Sequence, residues 1–131
     1  MAGFMSGYEA QTYAALRIVA GFLFLWHGAS KLLGFPMPPP PEAPAFVIYV
    51  AGTIELVGGA LVAIGLQTRI AAFLSSGLMA AAYWMAHGTN ALLPIQNQGE
   101  LAVIYCFVFL YISARGAGIW SVDGELQTPA S

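Results

Sequence analysis

Four long stretches of this chain carry almost no charge: Tyr13 to Phe35, Ala45 to Leu66, Ile70 to Ala86, and a last one that ends near Ala114. About 20 apolar residues are what an α-helix needs to cross the roughly 30 Å of bilayer hydrocarbon. Only helices and closed barrels satisfy their own backbone polar groups there. Composition points the same way, because 8% of the 131 residues are charged and 59% are hydrophobic, whereas a soluble domain carries roughly 25% charged residues. The sequence therefore predicts an all-α polytopic membrane protein. Its expected architecture is an antiparallel bundle of four transmembrane helices at about 13–35, 45–66, 69–88 and 96–115, forming one domain over 1–131.

Several functions are excluded at this stage. A net charge of -2 with no basic run leaves no surface for neutralising nucleic-acid phosphates. A lone cysteine, Cys106, cannot make an internal disulfide, a redox CxxC pair or a cysteine metal site, and no metal site is expected.

The connections set the topology. Residues 36–44, with Pro36, Pro38 to Pro41 and Pro44, lack most of the amide hydrogens a helix requires and form a stiff loop outside the hydrocarbon. Gly65-Leu66-Gln67-Thr68-Arg69 is short enough to join the second and third spans as a hairpin turning near Gly65 or Gln67. Residues 1 to 12 hold no Lys or Arg, so the first run is read as a retained span and not a signal peptide. With four spans, Arg17, Arg69 and Arg115 share one side against Lys31 on the other, which puts both termini in the cytoplasm of a prokaryotic cell and the proline loop outside.

Ionisable groups within a span cost roughly 2.5–3.5 kcal/mol each near its centre, so the few present need partners or a task. Glu55 lies about 15 Å from the outer end of the second span at 1.5 Å per residue. Ala51, Gly59 and Ala63 flank it at four-residue steps and allow a close helix neighbour. On the first span Arg17, Phe24, Gly28 and Lys31 fall within about 60° of one another on a helical wheel. His27 lies beside them, one turn from Lys31. His87 ends the third span and Glu100 begins the fourth, at the same outer side as Lys31. This polar seam, with Trp26 and Trp84 as flat walls, is the candidate ligand site. Glu55 is expected to meet Lys31 or His27. The plainer reading makes the seam structural, with Lys31 snorkelling outward and His87 and Glu100 solvated at the interface.

The segments Phe24-Leu25-Trp26-His27-Gly28-Ala29-Ser30-Lys31-Leu32, Glu55-Leu56-Val57-Gly58-Gly59, Gly65-Leu66-Gln67-Thr68-Arg69, Gly99-Glu100-Leu101 and Arg115-Gly116-Ala117-Gly118-Ile119-Trp120 resemble the DoxX family of small bacterial and archaeal membrane proteins. The proline run is longer than that family leads one to expect. The resemblance implies a four-helix inner-membrane protein associated with redox systems, including electron transfer to quinone.

Taken together, the expectation is a membrane subunit that binds quinone or a similar apolar ligand near the outer leaflet, beside an oxidoreductase partner. His, Lys and Glu can supply hydrogen bonds and a proton route to a quinone ring. The chain has no intrinsic cofactor motif, and His27 and His87 sit at unequal depths for a bis-His haem, so it is not a complete oxidoreductase alone. Two other classes stay open: a non-catalytic membrane anchor or assembly protein with a structural seam, and a small transporter or proton pathway working as a homo-oligomer.

Overall fold

A computed structural model describes residues 3–129; positions 1, 2, 130 and 131 of the expected 1–131 domain lie outside the described residues. Helix α1 spans Glu9–Leu33 and is entered through a 3-10 turn at Ser6–Tyr8. Helix α2 runs Val47–Ile64, with π-type turns at Val47–Ala51 and Ile54–Gly58 before the regular segment Gly59–Ile64. Helix α3 is Thr68–Ala86, α4 is the short turn Pro94–Asn97, α5 is Glu100–Arg115 and α6 is Val122–Gln127. No strand occurs among the described residues. Two helical stretches, Ser6–Leu33 and Val47–Ile64, are long and apolar enough to cross a membrane.

Helix boundaries depart from the hydropathy reading for local reasons. Helix α1 begins four residues before Tyr13, because Glu9 favours the positive end of the helix dipole whatever its hydropathy. It stops at Leu33 because Gly34 adopts φ 67° and donates its N–H to the Ser30 carbonyl, a glycine C-cap. The expected 45–66 span closes at Ile64, where Gly65 takes φ 73°, and Gln67 at φ 49° completes the turn into α3. The fourth run splits: Gln98 at φ 61° ends α4, and α5 starts afresh at Glu100 and not at 96. Residues 34–44 are non-helical, as the prolines require.

Helix α1 packs along α2, and α3 along α5; α2 also meets α3, and α5 touches α1. Glycines permit the first contact. A Cβ on Gly21 would lie 2.5 Å from the Ala63 nitrogen, and one on Gly59 would lie 2.7 Å from the Leu25 nitrogen, well inside van der Waals distance. Backbones therefore touch along this seam, as small residues allow. The central layer is aromatic: Phe24 sits 4.6 Å from Phe109 and 5.2 Å from Tyr105, ring centre to ring centre, and Tyr105 stacks on Phe109 at 5.6 Å.

At one end of the molecule the chain after α5 folds back over α1, and three arginines hold it. Arg17, wholly buried, donates from Nε to the Val62 carbonyl at 3.1 Å and from its other nitrogens to the carbonyls of Ala117, Ile119 and Trp120. Arg69, at the start of α3, donates to the carbonyls of Ser113, Ala114 and Arg115 and so satisfies the end of α5. Arg115 pairs with Glu9 at 3.2 Å and lies over the Tyr13 ring at 4.5 Å.

Asp123 completes this end. Its carboxylate accepts from the Gln67 N–H at 3.0 Å, the Thr68 N–H at 2.9 Å and the Thr68 hydroxyl at 2.8 Å, so it caps α3 from across the chain. Partial burial pushes its carboxyl upward, but the Thr68 and Gln67 hydrogen bonds and the nearby Arg17 charge outweigh this and hold it below the ordinary aspartate range. A carboxyl held low in the folded state stabilises above its unfolded pKa and loses that contribution as pH falls through its folded value. Asp123→Ala is therefore expected to lose about 1–2 kcal/mol at neutral pH, the usual worth of a helix cap. Thermal unfolding in detergent should show the gap to wild type closing below the aspartate range. A gap that stays constant down through that range would mean the carboxylate is not what holds α3.

Candidate functional site

The seam expected on α1 and α2 assembles around one ion pair. Lys31 Nζ donates to Glu55 Oε2 at 2.7 Å, with the lysine side chain 18% and the glutamate side chain 5% exposed. Helix direction explains how the pair forms. Side chains on an α-helix lean toward its N-terminus, and α1 and α2 run antiparallel, with Gly28 against Leu56 and Gly21 against Ala63. Lys31 therefore leans down from the end of α1 while Glu55 leans up from the middle of α2. The snorkelling expected of Lys31 in the plainer reading is replaced by this inward pairing. Glu55 also falls within the π-type turn Ile54–Gly58, a distortion common at functional positions.

Behind the pair lies a cavity of about 270 Å³ whose wall includes Phe24, His27, Glu55, Met79, His87 and Tyr105. Four helices contribute to it. Glu55 lines it and Lys31 does not. His27 reaches the cavity and meets the Tyr105 ring edge-on at 6.0 Å. His87, at the end of α3, bonds through Nδ1 to the Asn97 carbonyl at 3.0 Å. Since a carbonyl only accepts, Nδ1 carries the hydrogen there. Asn97 is itself held by bonds to the Tyr83 hydroxyl and the Ala91 carbonyl, which fixes the loop carrying Gln98 over this end of the cavity.

The remaining candidates sit elsewhere. Trp26 packs edge-on against Phe22 at 5.8 Å and Phe35 at 6.1 Å, outside the cavity wall. Trp84 packs against Tyr83 at 5.1 Å and borders a separate apolar hollow with Cys106 and Phe107. Glu100 is exposed at the first turn of α5. The flat wall expected from the two tryptophans is made by Phe24 and Tyr105 instead. Tyr105 was not singled out in the sequence, because a tyrosine in an apolar run reads as a packing residue; only its meeting with His27 and Glu55 marks it.

Chemically, the cavity offers a carboxylate held by a lysine, two imidazoles, a phenol and an aromatic wall. That set can bind a small ring and move a proton. Among the described residues no three metal-ligating side chains converge.

Comparison with known proteins places these features in a lineage. A protein of Haemophilus influenzae described as uncharacterized is 41% identical over 124 residues, covering 90% of this chain and 92% of that one. A Bacillus subtilis protein named "Putative oxidoreductase CatD" is 41% identical over 118 residues, covering 82% of this chain and 81% of that one. No solved structure matches the chain. The DoxX family profile matches residues 12–88, which carry Arg17, His27, Lys31 and Glu55 on α1 and α2 together with the turn at Gly65. On that match, and on two helices long and apolar enough to span a bilayer, the chain is a membrane protein belonging to the DoxX family.

Proposed function

We propose that this protein is a membrane subunit of a redox system that binds quinone, or a similar apolar ring compound, in the cavity between His27, Glu55 and Tyr105. The observation that carries the reading is the cavity itself: a purely structural ion pair needs no space beside it, yet about 270 Å³ opens between His27, Glu55 and Tyr105. The aromatic wall suits a flat ring, and Glu55 with His27 gives its oxygen atoms polar neighbours. The name of the Bacillus subtilis relative, "Putative oxidoreductase CatD", agrees with such a role. The chain supplies no electron carrier of its own, so an oxidoreductase partner delivers or removes electrons.

In this reading α1, α2, α3 and α5 form one antiparallel four-helix transmembrane domain. Helix α3, with 19 residues, is about 28 Å long, and α5, with 16, is about 24 Å. Helix α3 lies against α2, which has 18 residues, and α5 touches α1, and the α4 loop and the folded-back chain complete the depth that α5 lacks. The termini lie in the cytoplasm of a prokaryotic cell and the proline loop outside. Single cysteines at Ser6 and Pro40 test this: a membrane-impermeant maleimide should label Pro40→Cys in intact spheroplasts and Ser6→Cys only in inverted vesicles. The reverse pattern overturns the orientation.

The functional test uses the purified protein from native membrane. Quinone should co-purify with wild type and be identified by mass spectrometry of the organic extract, and His27→Ala should lower its recovery at least tenfold without changing the melting temperature. No ring compound in the extract, together with a parallel loss of stability in His27→Ala, would instead make the seam a packing device and the protein an anchor.

A further inference from the structure

At the end of the molecule where the chain folds back, two hollows adjoin. One, of about 520 Å³, is polar, and its wall includes Arg69, Arg115, Gly116 and Asp123. The other, of about 210 Å³, is an apolar groove between α2 and α3 lined by residues that include Val57, Gly58, Leu61, Ala71 and Leu74. Gln67 and Ile70 border both. The groove has buried small residues, Gly58 and Ala71, between exposed apolar ones, Val57, Ile70 and Leu74. From Leu61 it continues back along α2 to Thr53, about 12 Å toward the middle of that span at 1.5 Å per residue.

Arg69 is the unspent charge of the polar hollow. A guanidinium carries five hydrogens. Three of them go to the carbonyls of Ser113, Ala114 and Arg115, which leaves the Nε hydrogen and one on Nη2 with no protein partner among the described residues. No carboxylate lies within 4.0 Å of it among those residues. The other charges of the hollow are already answered: Arg115 pairs with Glu9, and the Asp123 carboxylate takes three hydrogens from Gln67 and Thr68. The lack of a side chain at Gly116 keeps the same edge of the guanidinium clear, since a Cβ there would stand 3.0 Å from Nη2 and 3.3 Å from Nε.

A free guanidinium edge matches the oxygens of a phosphate, and a basic pocket at the end of membrane helices is where a lipid headgroup meets protein. We propose that the two hollows together hold one phospholipid of the surrounding leaflet, its phosphate on the Nε and Nη2 edge of Arg69 and one acyl chain in the groove between α2 and α3. The single uncompensated positive charge equals the single negative charge of a phosphodiester. This site lies at the opposite end of α1 from Lys31 and does not depend on the ring-binding reading.

Native mass spectrometry of the delipidated protein in detergent tests it with three compounds: dioleoylphosphatidylglycerol, dioleoylglycerol, which lacks the phosphate, and glycerol phosphate, which lacks the chains. One phosphatidylglycerol is expected to be retained at least tenfold more than dioleoylglycerol at equal concentration, and an excess of glycerol phosphate should displace less than half of it. Arg69→Gln should lower retention of phosphatidylglycerol to that of dioleoylglycerol. The comparison on wild type stands without the variant, which also gives up bonds to the end of α5. Equal retention of the two lipids, uptake of many lipids with no preferred first one, or full retention by Arg69→Gln overturns the phosphate contact. Displacement by glycerol phosphate as effective as by the phospholipid would make the hollow a pocket for soluble anions and overturn the acyl groove.

Discussion

Replacing Lys31 by methionine is expected to lower stability by about 3–5 kcal/mol, the range seen when one partner of a buried ion pair is removed and the other is left uncompensated. Glu55, with its side chain 5% exposed, has Lys31 as its sole hydrogen-bond partner among the described residues. Adding Glu55→Gln to Lys31→Met removes the orphaned charge, and the double variant should recover most of the loss, because replacing a whole buried pair is often near neutral. Unfolding in detergent of wild type, both single variants and the double variant forms the cycle. Additive losses would show that the two side chains are not coupled.

The second large effect is expected at Arg17. Its guanidinium has no carboxylate within 4.0 Å among the described residues and is neutralised by the carbonyls of Val62, Ala117, Ile119 and Trp120. The Val62 carbonyl belongs to the last turn of α2, where the helix dipole is negative. Hydrogen bonds to a charged donor contribute about 1.5–3 kcal/mol each, so Arg17→Met should cost at least about 4 kcal/mol even after partial relaxation. Arg17→Lys should rescue little, since one ammonium cannot fork to four separated carbonyls. The readout is local as well as global: residues 116–127 should become sensitive to protease in Arg17→Met at temperatures where the helices remain folded. A C-terminal segment that stays protected would mean that Asp123 and Ser121 hold it without the arginine.

This second case shows where sequence reasoning stopped short. Arg17, Arg69 and Arg115 read in one dimension as charges at a membrane face, to be counted for orientation. In the fold Arg17 and Arg69 are capping groups for α2, α5 and the returning chain, Arg115 pairs with Glu9, and Arg17 is the most deeply enclosed side chain of its size. The partners of Arg17 and Arg69 are backbone carbonyls, which every residue possesses and which leave no mark on a sequence. The positive values of φ at Gly116, Gly118 and Trp120 were the available hint of a turn-back, but only the two glycines among them are legible beforehand.

Glu55 behaved differently. A single carboxylate in an apolar run, flanked by small residues at helical spacing, has few ways to be satisfied, and Lys31 and His27 lay on the neighbouring helix toward its outer end, within reach of long side chains. The pairing was therefore foreseeable from periodicity and the high penalty for a lone charge in hydrocarbon. Whether anything else touched Glu55 was not. His87 and Tyr105 come from α3 and α5, joined to α1 and α2 through two loops, and their approach to His27 depends on which rings pack at the centre.

By itself, then, the amino-acid order determined that this chain is helical and apolar, that its first helix gives way to a proline-rich loop at 36–44 and its second turns near Gly65 or Gln67, and that Glu55 must find Lys31 or His27. These follow from local terms: hydrogen bonding of the backbone, glycine's access to positive φ, and the penalty on buried charge. The tertiary structure alone decided that Lys31 turns inward, that the aromatic wall is Phe24 and Tyr105 and not the two tryptophans, and that a cavity opens beside the carboxylate. Those outcomes depend on how side chains from four helices share a fixed volume, and no single helix carries that information.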